Sequence, residues 1–185
     1  MNPLFEAARE VCDFMTRKKW SHCVIGGLAV LRWGEPRNTQ DVDFTLLTGF
    51  GSEEEFARPL LARFKGRNSD ALDFALQHRV LLIHASNGWP VDISFGGFPF
   101  EEQMIERATF FEFAEGICLA TCSAEDLFIM KAFAARDKDW HDAESVALRR
   151  KLDKRYVLKN LRPLCELKDA PDLLIRAKAL LEGKR

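Results

Sequence analysis

Apolar positions recur at helical spacing from the start of the chain. Leu4, Ala8, Val11 and Met15 form a stripe that Phe5, Cys12 and Phe14 widen, which predicts an amphipathic helix over residues 3–18. The apolar run His22–Ile25 ends at Gly26-Gly27 and reads as a buried strand entering a tight turn. A short helix over Leu28–Trp33 follows, broken by Gly34-Glu-Pro36. Asp41–Leu47 alternates and then turns apolar, as a strand entering a core does. Ser52, with Glu55 three residues on, predicts a capping box and a helix ending near Phe64. Asp70–Gln77 reads as a further short helix, and Val80–His84 and Val91–Phe95 as strands joined through the hairpin signal Asn87-Gly88.

Beyond the hairpin, Phe100–Arg107 has helical spacing, and Phe110–Ala120 holds one or two short strands around Glu115-Gly116. Ser123, with Asp126 three residues later, caps a helix that runs through Ala135. Asp139–Leu152, Lys154–Leu167 and Pro171–Leu181 are read as further helices. The pattern thus divides into a mixed α/β stretch over 1–122 and an all-helical stretch over 123–185, with no internal repeat or low-complexity linker.

Composition narrows the class. A chain of 185 residues suits one globular domain, or one domain with a helical extension, and buries a core without staples. Its hydrophobic (47%) and charged (30%) fractions are those of an ordinary soluble fold, and 15 Phe predict an aromatic-rich core. A net charge of −1 gives no global basic field of the kind a nucleic-acid binder carries. The Lys- and Arg-rich segment from Arg136 onward reads as a solvated helical surface, with a local basic face as the alternative. The five cysteines are odd in number, and Cys118 and Cys122 form no Cys-x-x-Cys and have no His close by in sequence, so reduced thiols are expected rather than a zinc site. No apolar run reaches membrane-spanning length and charged residues interrupt the N-terminal stripe, so the expected location is cytoplasmic, with no membrane partner.

The carboxylates carry the chemistry. Side chains alternate faces along a strand, so Asp41 and Asp43 project the same way while Val42 and Phe44 face a core. Adjacent like charges repel, and a divalent cation with hard oxygen preferences, Mg²⁺ or Mn²⁺, is the natural partner. Asp92 sits inside the apolar run Pro90–Phe95, an unusual place for a structural aspartate. If its strand lies beside Asp41–Asp43, the three acids converge; such a set holds metals about 3.5–4 Å apart, and Asp92 becomes both a ligand and a candidate base. Gly26-Gly27 follows a strand and opens a helix, where bare backbone and N–H groups favour phosphate. Arg37 and Thr39 precede the acids and are candidate phosphate contacts. Taken singly, each feature has a structural reading: a turn, a surface pair, a hairpin cap.

The set Gly26-Gly-Leu-Ala, Arg37-Asn-Thr-Gln-Asp-Val-Asp-Phe44 and Val91-Asp-Ile93 resembles the signature of the DNA-polymerase-beta-like nucleotidyltransferase superfamily. The turn is Gly-Gly where many members have Gly-Ser. A second block, Ser123–Lys131 followed by Ala135-Arg-Asp-Lys-Asp-Trp-His-Asp142, resembles the AbiEii-type toxin family of abortive-infection and toxin–antitoxin systems. The resemblance implies an α+β fold: a small mixed sheet of a polymerase-beta-like core over 1–122, flanked by helices, with a C-terminal helical region, 123–185, packed on it. It implies a Mg²⁺- or Mn²⁺-dependent enzyme that moves a nucleotidyl group from a nucleoside triphosphate to a hydroxyl of RNA, protein or a small molecule, with a toxin role and a cognate antitoxin among the expectations. Asp41, Asp43 and Asp92 are the implied metal ligands, and Lys131 and Asp139 join them as implied catalytic residues. Gly26, Gly27, Arg37, Thr39, Arg136 and Lys138 are the implied nucleotide contacts. Lys131 also reads as a snorkelling rim residue, and Asp139 as a helix cap. The alternative function is a non-catalytic binding or antitoxin-like module. A phosphohydrolase ranks last, since His22, His78, His84 and His141 show no ligand spacing with the acids.

Overall fold

A computed structural model describes residues 2–183. The chain divides into two compact units. Unit 1 comprises Met1–Leu28 and Asn38–Cys122, and unit 2 comprises Ala29–Arg37 and Ser123–Arg185.

Unit 1 holds a seven-stranded mixed sheet. Its strands are β1 (His22–Val24), β2 (Val42–Leu47), β3 (Lys65–Gly66), β4 (Val80–His84), β5 (Pro90–Gly96), β6 (Thr109–Ala114) and β7 (Ile117–Thr121), in the spatial order β3-β4-β5-β2-β1-β7-β6. β2 runs parallel to β5, and β1 to β7; the other pairs are antiparallel. Helices α1 (Pro3–Arg17), α3 (Glu53–Arg63), α4 (Ala71–His78) and α5 (Pro99–Glu106) belong to this unit, which α2 (Gly26–Trp33) leaves after Leu28. Alternation explains the core. Val42, Phe44 and Leu46 of β2 are fully buried together with Val91 and Ile93 of β5, and α1 buries Ala7, Ala8, Val11 and Met15.

Unit 2 contains the rest of α2 with α6 (Ala124–Ala134), α7 (Asp137–Arg149), α8 (Lys154–Leu167) and α9 (Pro171–Leu181). Ser123 caps α6 as expected, its hydroxyl accepting from the Asp126 N–H at 3.1 Å. Asp126 is fully buried, and both its oxygens are met: Ser123 Oγ donates to Oδ2 at 2.6 Å and Tyr156 Oη to Oδ1 at 2.7 Å.

Several local expectations are corrected. Ser52 makes no side-chain cap, so the predicted capping box with Glu55 is absent; its φ of −111° and ψ of 8° lie outside the extended range from which a cap side chain usually reaches back. The short edge strand β3 has no sequence signal, because a two-residue strand has no period to read. α2 begins at Gly26, two residues before the expected start, and α7 begins at Asp137 rather than Asp139. Asp139 therefore lies within the first turn of α7, not at its cap. The α+β class holds.

Candidate active site

The parallel pairing of β2 and β5 places Asp43 directly opposite Asp92, and Val42 opposite Val91. Paired residues of neighbouring strands share a face, so the half-buried acids stand on one side of the sheet and the buried aliphatics on the other. Asp41, two residues before Asp43, belongs to the same side. One carboxylate oxygen from each of Asp41, Asp43 and Asp92 lies within 4.8 Å of the others, a spacing suited to a shared cation. At 4.8 Å or less each ionised pair repels by at least about 3 kcal/mol at an effective dielectric constant of about 20.

Asp92 records this strain. Burial, then the neighbouring Asp43 and Asp41 charges, push its carboxyl up to about 6, against the opposing pull of Arg67. Its buried Oδ1 accepts no hydrogen bond. Arg67 Nη2 lies 2.9 Å from that oxygen, so the contact is an ion pair without hydrogen-bond alignment. A buried carboxylate oxygen with that one Coulombic partner, facing two other carboxylates, fits a divalent-cation ligand set.

The Gly26-Gly27 turn is built around Asp43. Gly26 has φ +59°, and a Cβ there would stand 1.9 Å from Asp43 Oδ2. The Gly27 N–H donates to the same oxygen at 3.2 Å. In this structure that amide of the α2 N-terminus is thus turned to the carboxylate, where a free phosphate donor was expected. A Cβ at Gly27 would meet Thr39 Oγ1 at 2.2 Å, so the Thr39 hydroxyl fills the space a residue-27 side chain would need. Thr39 Oγ1 in turn lies 3.2 Å from the Asp41 carbonyl oxygen and 3.4 Å from Asp41 Oδ1.

The remaining expected site residues gather in unit 2. Lys131 is buried, and its ammonium lies 3.0 Å from Asp139 Oδ1 and 2.9 Å from Asp142 Oδ2. Arg37 grips Asp142 through Nε (2.7 Å) and Nη2 (2.8 Å), and Arg136 pairs with Asp139. Burial opposes ionisation of both aspartates, but the hydrogen bonds and charges of Arg136 and Lys131 for Asp139, and of Arg37 and Lys131 for Asp142, outweigh it. Both carboxyls therefore lie below their ordinary range. Lys138 is exposed on α7. Two partners were not anticipated: Arg67 on Asp92, and Asp142 as the shared anchor of Arg37 and Lys131.

No helix among the described residues is long and apolar enough to cross a membrane. No protein-family model matches the chain, and no curated protein sequence does. Among solved structures, ANT(2")-Ia in complex with adenylyl-2"-tobramycin reaches a TM-score of 0.49 at 15% identity, over 97% of each chain. A lincomycin-bound lincosamide antibiotic adenylyltransferase reaches 0.49 at 12%, over 76% of this chain and 94% of that one. Scores at that level carry no weight for the fold. An antigenic nucleotidyltransferase-like protein from Paracoccidioides brasiliensis superposes with a TM-score of 0.53 at 17% identity, over 96% of this chain and 94% of that one. The fold of this chain is similar to that of a nucleotidyltransferase-like protein.

Proposed function

We propose that the chain is a divalent-metal-dependent nucleotidyltransferase that moves a nucleotidyl group from a nucleoside triphosphate to an acceptor hydroxyl, releasing pyrophosphate. The observation that carries this reading is the meeting of Asp41, Asp43 and Asp92 within 4.8 Å, beside a glycine turn at a helix N-terminus. Asp41, Asp43 and Asp92 would hold Mg²⁺ or Mn²⁺, which when bound supplies charge neutralisation of the triphosphate and activation of the attacking hydroxyl.

The chain's own residues supply the rest. Gly26 and the Gly27 amide fix the Asp43 carboxylate, so that ligand is set before anything binds. Thr39 holds the turn from the other side and restrains Asp41. Asp92 is also the candidate base for the acceptor proton. Lys131, Arg136, Lys138 and Arg37 remain, in this reading, cations for the triphosphate, with Asp139 orienting Lys131 through their 3.0 Å contact. The AbiEii-type resemblance adds a toxin role with a cognate antitoxin, and leaves RNA, protein and small molecules as acceptor classes. A 1–122 core and a 123–185 helical region make up the domain plan that goes with it.

The test incubates the full chain with each α-labelled nucleoside triphosphate and Mg²⁺, in the presence of RNA, of cell protein or of a hydroxylated small-molecule panel. Label should move to one acceptor class with stoichiometric pyrophosphate, and Asp43→Ala should stop it. Release of inorganic phosphate without label transfer would favour hydrolysis instead.

A further inference from the structure

A row of residues crosses the sheet through the acidic cluster. Asp43 on β2 is opposite Asp92 on β5, and Asp92 is opposite Leu82 on β4. The Leu82 carbonyl accepts the Arg67 N–H at 2.9 Å, directly after the edge strand β3. Register therefore carries the Arg67 side chain over Leu82 to Asp92, where Nη2 meets Oδ1 at 2.9 Å. The backbone bond fixes where this guanidinium starts, and both partners are largely shielded, at 25% and 27% side-chain exposure. A rim pair in open solvent would be screened and nearly neutral in effect; this one is not in that regime.

We propose that Arg67 is a built-in counter-cation of the acidic cluster: it neutralises Asp92 while no metal is bound, and opposes a divalent cation electrostatically when one enters. The inference rests on the metal site of the proposed function. Three carboxylates within 4.8 Å need a positive charge to coexist, and Arg67 contributes one of the charges that a metal would otherwise supply. A guanidinium held beside a divalent ion repels it, so Arg67 lowers metal affinity and makes occupancy depend on a nucleotide bringing further ligands. The arrangement sets a threshold: free metal alone binds weakly, and metal with triphosphate binds well.

Mn²⁺ titrations of the full chain, by calorimetry or by the electron-spin signal of free Mn²⁺, test this without any turnover. Removing the charge in Arg67→Gln or Arg67→Ala should tighten Mn²⁺ binding about tenfold at low salt. Arg67→Lys, which keeps the charge, should stay near wild type. Arg58→Gln, which removes an exposed arginine paired to Glu54, should change nothing. Without metal, Arg67→Gln should melt at a lower temperature than wild type and gain more from added Mn²⁺. Unchanged or weaker Mn²⁺ binding in both neutral variants, alongside normal wild-type binding, overturns the role of Arg67 while leaving the metal site intact. A wild type that binds no Mn²⁺, even with nucleotide present, overturns the metal site itself.

Discussion

Asp43 and Asp92 face one another across the parallel pair β2–β5, and the amide of Gly27 holds the Asp43 carboxylate in place at 3.2 Å. This relationship couples a phosphate-type turn to a metal-type cluster through one side chain. Asp43→Asn and Asp92→Asn each remove a ligand charge while keeping shape. Outer-shell changes at metal sites cost 10- to 100-fold in affinity, so loss of a direct ligand should weaken Mn²⁺ binding by more than about 100-fold. Far-UV circular dichroism should be unchanged, and calorimetric titration reads the affinity.

The two glycines should respond differently to a single methyl group. At Gly26 the added Cβ falls 1.9 Å from Asp43 Oδ2 and the residue keeps φ +59°, so Gly26→Ala should destabilise the fold by at least about 1–3 kcal/mol and abolish metal binding. At Gly27 the obstacle is the Thr39 side chain, 2.2 Å away. Gly27→Ser should therefore be destabilising alone and largely restored by adding Thr39→Gly. Chemical denaturation of the single and double variants gives the coupling.

The Lys131–Asp139 pair should be a pH-dependent stabiliser. Asp139 is fully buried and its carboxyl is held below the ordinary range. A depressed carboxylate stabilises the fold above the unfolded value, near 3.8, and loses that contribution as pH falls through the folded value. Asp139→Asn should therefore cost about 3 kcal/mol at pH 7, by leaving the buried ammonium short of a partner. The gap to wild type should shrink steadily as melts are run below pH 4. A gap constant over that range would contradict the assignment.

Tyr156→Phe separates stability from chemistry. It removes the 2.7 Å donor to the buried Asp126 and should cost about 1–3 kcal/mol in urea unfolding. Nucleotidyl transfer at a temperature where the variant stays folded should match wild type.

Much of this was legible in the residues. Alternation in Asp41–Leu47 gave the face on which the acids stand, and Asn87-Gly88 gave the hairpin that carries Asp92. The Gly-Gly turn was legible as a turn, but its tightness against Asp43 and Thr39 was not, because that contact joins residues 16 and 12 positions apart in sequence. Arg67 was invisible for a related reason. It follows a two-residue strand with no period, and reaches Asp92 through register alone. Asp142 ends the Ala135–Asp142 block, yet its role as the anchor of both Arg37 and Lys131 needed the folded chain. Ser52 shows the opposite failure, a capping signal that the local backbone does not use.

The most direct test is a crystal grown with Mn²⁺ and a non-hydrolysable nucleoside triphosphate, measured for anomalous scattering. The account predicts a Mn²⁺ peak at ligand distance from Asp41, Asp43 and Asp92, with the triphosphate on the same ion. A nucleotide bound with no metal at these three carboxylates, or a metal held elsewhere, would contradict it.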